Sequence, residues 1–420
     1  MNTAAEVDRI PGRRGLLIPA LFPPIEFRFG LALLLTFFPY AILYPLDYPA
    51  WSILILACWV WVFPSPVGCL SLGLLPFIPG SIYGYFLFNL FCLATTAGTA
   101  AAAFRCGEFR MEAYVRLHRL ARACIFFTLA ICALQLLSGP DIWGAGFPRM
   151  SLKDGRAAGL TFEPSLLAGP LTLYLLLLVG RVRAVRVLGE PLRMRSSLLR
   201  EGVWVSLSLL LATRSISVLA VAMAFAPVFF AGRRRILVPA LAASLGLVVT
   251  NFVLGQRIGE ALETAGGSMA DLVTVSADSW RNIPDLLIIF NFADFLLPGR
   301  PAEIRLKINI FAALMDPSFA WIQNTYSTFS AGGSTIGILA VAALFAGGLW
   351  IAMKALSRFA AMRAAWLMLF LVNWFLTPKY EAAGWVALGL FPAMFRLKRW
   401  RDEGDPEAPE REARLASRAA

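Results

Sequence analysis

Long apolar runs, broken by short clusters of arginine, proline and small polar residues, recur along almost the whole chain. A helix needs about 20 apolar residues to cross the ~30 Å hydrocarbon core of a bilayer. On that scale the runs predict spans near 29–45, 51–63, 66–80, 82–104, 121–138, 164–180, 201–213, 215–231, 236–254, 334–353, 364–377 and 382–395. The pattern predicts an all-α polytopic membrane protein of roughly eleven or twelve transmembrane helices forming a single transmembrane domain over 1–420. The second and third spans are short and rich in proline. The longest interval between spans, 255–333, alternates apolar and charged residues ("RIGEALETAGG", "EIRLKINIFAALM"), the pattern of amphipathic helices lying over a membrane surface. No internal repeat is visible, and the charged stretch 401–420 is expected to be a disordered tail.

Composition strengthens this picture. The chain has 420 residues, of which 59% are hydrophobic and 15% charged. Its mean hydropathy is +0.69, too apolar for a water-soluble globule of that length. A net charge of +12 taken alone would suggest nucleic acid, but its distribution excludes that partner. The basic clusters fall in alternate intervals, at 105–119, 181–200, 233–235, 354–363 and in the tail "RLKRWRDEGD". The positive-inside rule then puts both termini in the cytoplasm, with 139–163 and 255–333 on the far side. The N-terminus, "MNTAAEVDRIPGRRG", is polar and basic and carries no cleavage site, so the first span is expected to act as the insertion signal. Cys58, Cys69, Cys92, Cys106, Cys124 and Cys132 show no metal-type spacing and read as small apolar filler. Neither a metal nor a cofactor is expected.

Two hairpins look too short. Gly202 to Ala231 must leave and re-enter the cytoplasm, which gives each leg about 14 to 16 residues, or ~21–24 Å of rise. The tip, "TRS" with Arg214, should then lie below the outer surface. The same holds for 364–395, whose tip "TPKYE" carries Lys379. An arginine at such depth needs a wet cavity or an anionic partner, although Arg214 and Lys379 have the alternative of snorkelling to headgroups. Glu163 stands at the lip of a third span. It either borders the same water or caps its helix, where the macrodipole favours a carboxylate and Pro164 suits the first turn. An outward cavity lined by Arg and Lys suits an anionic, membrane-held ligand such as a lipid-linked diphosphate, because guanidinium groups fork onto phosphate oxygens. Arg257, Arg281, Arg300 and Arg305 of the outer loop are further candidates, or partners in local salt bridges.

Four stretches, in order, resemble a known group. "RAAGLTFEPSLLAG" resembles the R-x-x-G-x-x-x-EPS signature of bacterial exopolysaccharide and O-antigen polymerases, and "LATRSISVLAV" resembles their S-R-T/G tip between two spans. "SADSWRNIPDLL" with "LPGRP" is similar to the opening of their large periplasmic loop, and "NTYSTFSAGGSTIGILAV" to the segment that closes it. The resemblance covers about 160–350 and leaves the first 150 residues aside. It implies a metal-independent glycosyltransferase of the GT-C type, in the polymerase and O-antigen ligase superfamily. Such an enzyme works at the periplasmic face of the bacterial inner membrane and joins oligosaccharide repeats carried on undecaprenyl diphosphate. The partners implied are this lipid-linked oligosaccharide, the surrounding membrane lipids, a chain-length regulator and a flippase. By the resemblance, Arg214 and Arg281 stabilise charge on the leaving diphosphate, and Glu163 positions or deprotonates the acceptor hydroxyl. Arg156 and Arg257 are second clamps on the same resemblance, Asn324 and Tyr326 are expected to bind substrate from the closing segment, and Lys379 is expected to do so from its recessed hairpin tip.

The chain departs from the pattern in one respect. Members of the superfamily commonly carry a histidine in the closing part of the outer loop, whereas the sole histidine here, His118, falls in a predicted cytoplasmic loop. Asn324 and Tyr326 stand in the corresponding region, which weakens the O-antigen ligase reading. A secondary transporter or flippase is the other alternative. The large loop between the ninth and tenth spans and the absence of a repeat weigh against it.

Overall fold

The computed structural model describes residues 24–39, 48–77, 82–106, 111–146, 156–161, 164–187, 189–229, 343, 346–350, 354, 360–375 and 382–394. Glu163, Arg257, Arg281, Asn324, Tyr326, Lys379, the loop 255–333 and the tail 401–420 lie outside them. Apart from a single bridged residue, Arg156, every regular element among the described residues is helical.

The helices are α1 (Ile25–Phe37), α2 (Tyr48–Val62), α3 (Pro66–Leu74), α4 (Ile82–Cys106), α5 (Met111–Gly146), α6 (Ala168–Val187), α7 (Leu192–Thr213), α8 (Ile216–Phe229), α9 (Ala360–Phe375) and α10 (Ala382–Ala393). Two helical stretches, Ala113–Ser138 and Pro164–Val185, are long and apolar enough to cross a membrane. Shorter apolar stretches run over Ile53–Val62, Pro66–Phe77, Ser217–Ala226, Arg363–Asn373 and Ala382–Ala393.

Side-chain contacts fix the directions of these helices. At one end of the bundle, Arg116 of α5 pairs with Glu26 at the start of α1, 2.7 Å apart, and Arg28 donates to the carbonyl of Trp61 near the end of α2. Helices α1 and α5 therefore run together and α2 runs against them. Gly180 near the end of α6 lies against Tyr114 near the start of α5, so closely that a Cβ would stand 2.6 Å from the ring. Helix α7 returns along α6, since Tyr174 bonds Glu201 and Arg181 pairs with Glu190 in the connection between them. In the last hairpin Trp366 donates to the carbonyl of Leu388 and Asn373 to that of Gly384. Met394 reaches Gly180, so α10 runs parallel to α6.

The core sits on α6 and α10. Helix α10 throughout, and α6 from Ala168 to Gly180, are buried on every side, the condition of a helix at the centre of a bundle. Helix α10 packs on α4 where Gly389 crosses Ala100, and a Cβ there would strike the Ala100 carbonyl. The small-residue run "ATTAGTAAAA" of α4 makes that approach possible, because small side chains let two backbones close together. The threonines in it do not stay unmet. Thr95, Thr96 and Thr99 each turn their hydroxyl onto a carbonyl of their own helix.

Several boundaries differ from the hydropathy reading, most of all in two helices. Helix α5 runs for 36 residues instead of over 121–138 and takes in part of the basic stretch assigned to a loop. His118 accordingly lies within a helix and is buried. Helix α7 begins at Leu192, not near 201, and has 22 residues, or ~33 Å of rise. The first leg of that hairpin is thus longer than expected, and its apolar part alone is short. In both cases arginines, which are good helix formers with long apolar stems, let a helix continue past the point where hydropathy falls.

Candidate functional site

Helix α7 ends at Thr213 and α8 begins at Ile216, so two residues make the whole turn. Thr213 and Ser215 point inward and are buried, with the Thr213 hydroxyl on the Leu209 carbonyl. Arg214 between them is exposed. Its backbone is left-handed (φ 46, ψ 39), and it is the one described non-glycine residue with positive φ. Helices often end on such a residue, and glycine is the usual choice because a Cβ raises the energy by roughly 1–2 kcal/mol. Here the arginine N–H bonds the Leu210 carbonyl, and its charge sits at the negative end of the α7 dipole.

The last turn of a helix leaves carbonyls without partners. At α7 one of them, on Ala212, accepts from the N–H of Ala157 at 3.0 Å. This bond brings the segment 156–161 to the tip that carries Arg214. Arg156, half-buried, is the residue next to that bond. Two of the arginines expected at the site, 58 positions apart (214 less 156), are thereby set on adjoining backbone.

The segment then turns sharply. Thr161 donates both its N–H and its hydroxyl to the Ala158 carbonyl, at 3.2 and 2.7 Å. Gly159 inside this turn has φ +62, and a Cβ on it would stand 3.1 Å from Thr128 Cγ2 and 3.5 Å from Cys132 Sγ. The glycine of "RAAGLTFEPS" is required here by both conformation and space. Gln135 of α5 holds the same residue: its Nε2 donates to the Gly159 carbonyl at 2.8 Å and its Oε1 accepts from the Gly159 N–H at 2.9 Å. After Glu163, which lies outside the described residues, a 3-10 turn over Pro164–Leu167 leads into α6 and packs against α8. The ends of α9 and α10 that face each other, Asn373 and Gly384, belong to this same end of the bundle.

Of the expected site residues, Arg156 and Arg214 are thus brought together. The other six, Glu163, Arg281, Arg257, Asn324, Tyr326 and Lys379, lie outside the described residues. The sequence reading missed Gln135. Its signal was an amide within a predicted apolar span, and nothing in hydropathy ties it to Gly159. Also missed was a second polar group, about midway along the helices. There His118 stacks on Tyr174 with centroids 5.9 Å apart, Tyr174 donates to Glu201, and Arg122 pairs with Glu201 at 2.9 Å. Among the described residues no three His, Cys, Asp or Glu side chains form a group suited to a metal ion. A scan against protein-family models, a search of curated proteins and a search of solved structures return no match for this chain.

Proposed function

We propose that the chain is a polytopic glycosyltransferase of the bacterial inner membrane that joins oligosaccharide repeats carried on undecaprenyl diphosphate, with its site at the Arg214 end of the bundle. The observation that carries this reading is the left-handed arginine. A cation stands where glycine is favoured, which is understandable if the guanidinium is needed there. Its neighbourhood adds support, since the hydrogen bond between Ala157 and Ala212 sets the arginine-bearing R-x-x-G segment beside it. Two guanidinium groups on adjoining backbone suit a diphosphate, whose charge grows as it leaves.

In the reaction, a hydroxyl at the non-reducing end of one lipid-linked unit attacks the anomeric carbon of the glycan on another. The bond from that carbon to the diphosphate oxygen breaks as the new glycosidic bond forms. Arg214 and Arg281 stabilise the departing undecaprenyl diphosphate, Arg156 and Arg257 clamp it, and Glu163 positions or deprotonates the attacking hydroxyl. Asn324, Tyr326 and Lys379 complete the substrate contacts.

The membrane setting draws on surface chemistry. Phe126, Phe127, Leu134 and Leu137 of α5 and Trp204, Leu207 and Leu211 of α7 are exposed, a quantity of bare apolar surface suited to acyl chains and not to water. Arg116, Arg119, Arg122, Arg193 and Arg195 gather at the other end, which the positive-inside rule assigns to the cytoplasm.

The test is a reconstitution. Purified protein given undecaprenyl-diphosphate-linked repeats should release undecaprenyl diphosphate and lengthen the glycan, and Arg214→Ala should remove both. A carrier reading draws on the buried His118 and Tyr174 and the half-buried Glu201, because charges inside a bundle also mark transport paths. Substrate movement across proteoliposomes without bond formation would establish that reading instead.

A further inference from the structure

The face that α5 turns inward carries Ala121, Ile125, Thr128 and Cys132, all buried and spaced by three or four residues. Gln135 is the next position on that face and is fully buried. An amide there is costly unless its donors and acceptor are met. Gln135 meets them on a single residue, giving to the Gly159 carbonyl and taking from the Gly159 N–H. One side chain thus does for Gly159 what a neighbouring strand does in a sheet. Gly159 lies three residues after Arg156 and four before Glu163, inside the turn that leads from the Ala212 bond to the start of α6.

We propose that Gln135 is a positioning residue: it fixes the turn that follows Arg156 and so sets where that arginine stands relative to Arg214. The inference rests on the sugar-joining reading for what the site does. The clamp itself has a readout that does not.

Two variants separate positioning from packing. Gln135→Leu continues the apolar face of α5 but takes away both of the hydrogen bonds that Gln135 makes to Gly159. Gln135→Glu is switchable. A protonated carboxyl reproduces both bonds, its O–H reaching the Gly159 carbonyl and its C=O accepting the N–H, whereas the carboxylate has no hydrogen to give. The clamp is therefore present while the carboxyl is protonated and lost as pH rises through its titration.

Amide hydrogen exchange on the full chain in lipid nanodiscs reads the clamp without any assay of activity. In Gln135→Leu the amides of Ala157 and Gly159 should exchange about tenfold faster or more, while those of α5 and α6 keep wild-type protection. With lipid-linked repeats as substrate, Gln135→Leu should lose about tenfold or more in kcat at every pH, with KM within about twofold. Gln135→Glu should recover towards wild type, measured at the same pH, as pH falls from about 8 to about 5.5. Unchanged exchange in Gln135→Leu overturns the clamp. A Gln135→Glu profile that follows Gln135→Leu throughout overturns positioning. Faster exchange in Gln135→Leu alongside a wild-type protein that joins no sugars overturns the functional reading and leaves the clamp supported.

Discussion

The hydroxyl of Tyr174 donates to a carboxylate oxygen of Glu201 at 2.9 Å, and the same oxygen receives Arg122 Nε at 2.9 Å. Three helices, α5, α6 and α7, thereby meet on one acceptor. Tyr174 is fully buried, while Arg122 is more than half exposed, so the two bonds differ in what their loss leaves behind. Tyr174→Phe removes the donor and leaves Glu201 paired with arginine, which should cost about 0.5–1.5 kcal/mol. Glu201→Ala strands the buried hydroxyl and should cost more, about 1–3 kcal/mol. Unfolding in a single detergent, followed by tryptophan fluorescence, gives the order. Glycan extension per folded molecule should be unchanged in both, because Glu201 lies 13 residues before Arg214 (214 less 201), ~20 Å of helix rise away. A larger loss from Tyr174→Phe than from Glu201→Ala would refute this account of the network.

Two glycines offer a matched pair. Gly159 and Gly189 have nearly the same backbone, φ +62 and +66. A Cβ on Gly189 meets nothing within 4 Å, so Gly189→Ala carries the backbone penalty alone, roughly 1–2 kcal/mol. A Cβ on Gly159 also presses on Thr128 at 3.1 Å and displaces the turn held by Gln135. Gly159→Ala should therefore lose about 1–3 kcal/mol more than Gly189→Ala. Equal losses in the same unfolding measurement would mean that the wall formed by α5 yields freely.

Hydropathy reveals where most of the described helices lie, because burial at the centre of the bundle demands apolar residues. It fails at the ends. The arginines of α5 and α7 lower the local hydropathy while still favouring helix, so α7 starts nine residues before the expected 201 (201 less 192). The site was legible as far as residue types and order allow: Arg156, Gly159 and Arg214 could be singled out by motif. Their meeting could not, since it depends on a carbonyl of Ala212 and an amide of Gln135, groups of a kind found at every helix end and on many polar residues. His118 was placed in a loop for the same reason, its neighbours Arg116 and Arg119 masking a helical face that stacks it on Tyr174.

Arg214 permits a test that separates stability from chemistry. Its left-handed backbone raises the energy of any residue with a Cβ by roughly 1–2 kcal/mol, so alanine keeps the strain and removes the charge. Glycine relieves the strain, less about 0.5–1 kcal/mol for its greater freedom when unfolded. Both lose an interaction with the α7 dipole of about 0.3–1 kcal/mol. Arg214→Gly should thus be at least as stable as Arg214→Ala, by up to about 1.5 kcal/mol, while extension of lipid-linked glycan falls in both by about a hundredfold or more. Arg214→Lys keeps a positive charge without the planar fork and should fall between them and wild type. A stable Arg214→Gly protein that extends glycan at the wild-type rate would remove the guanidinium from the reaction, and the left-handed turn would then be no more than a helix end built with an unfavourable residue.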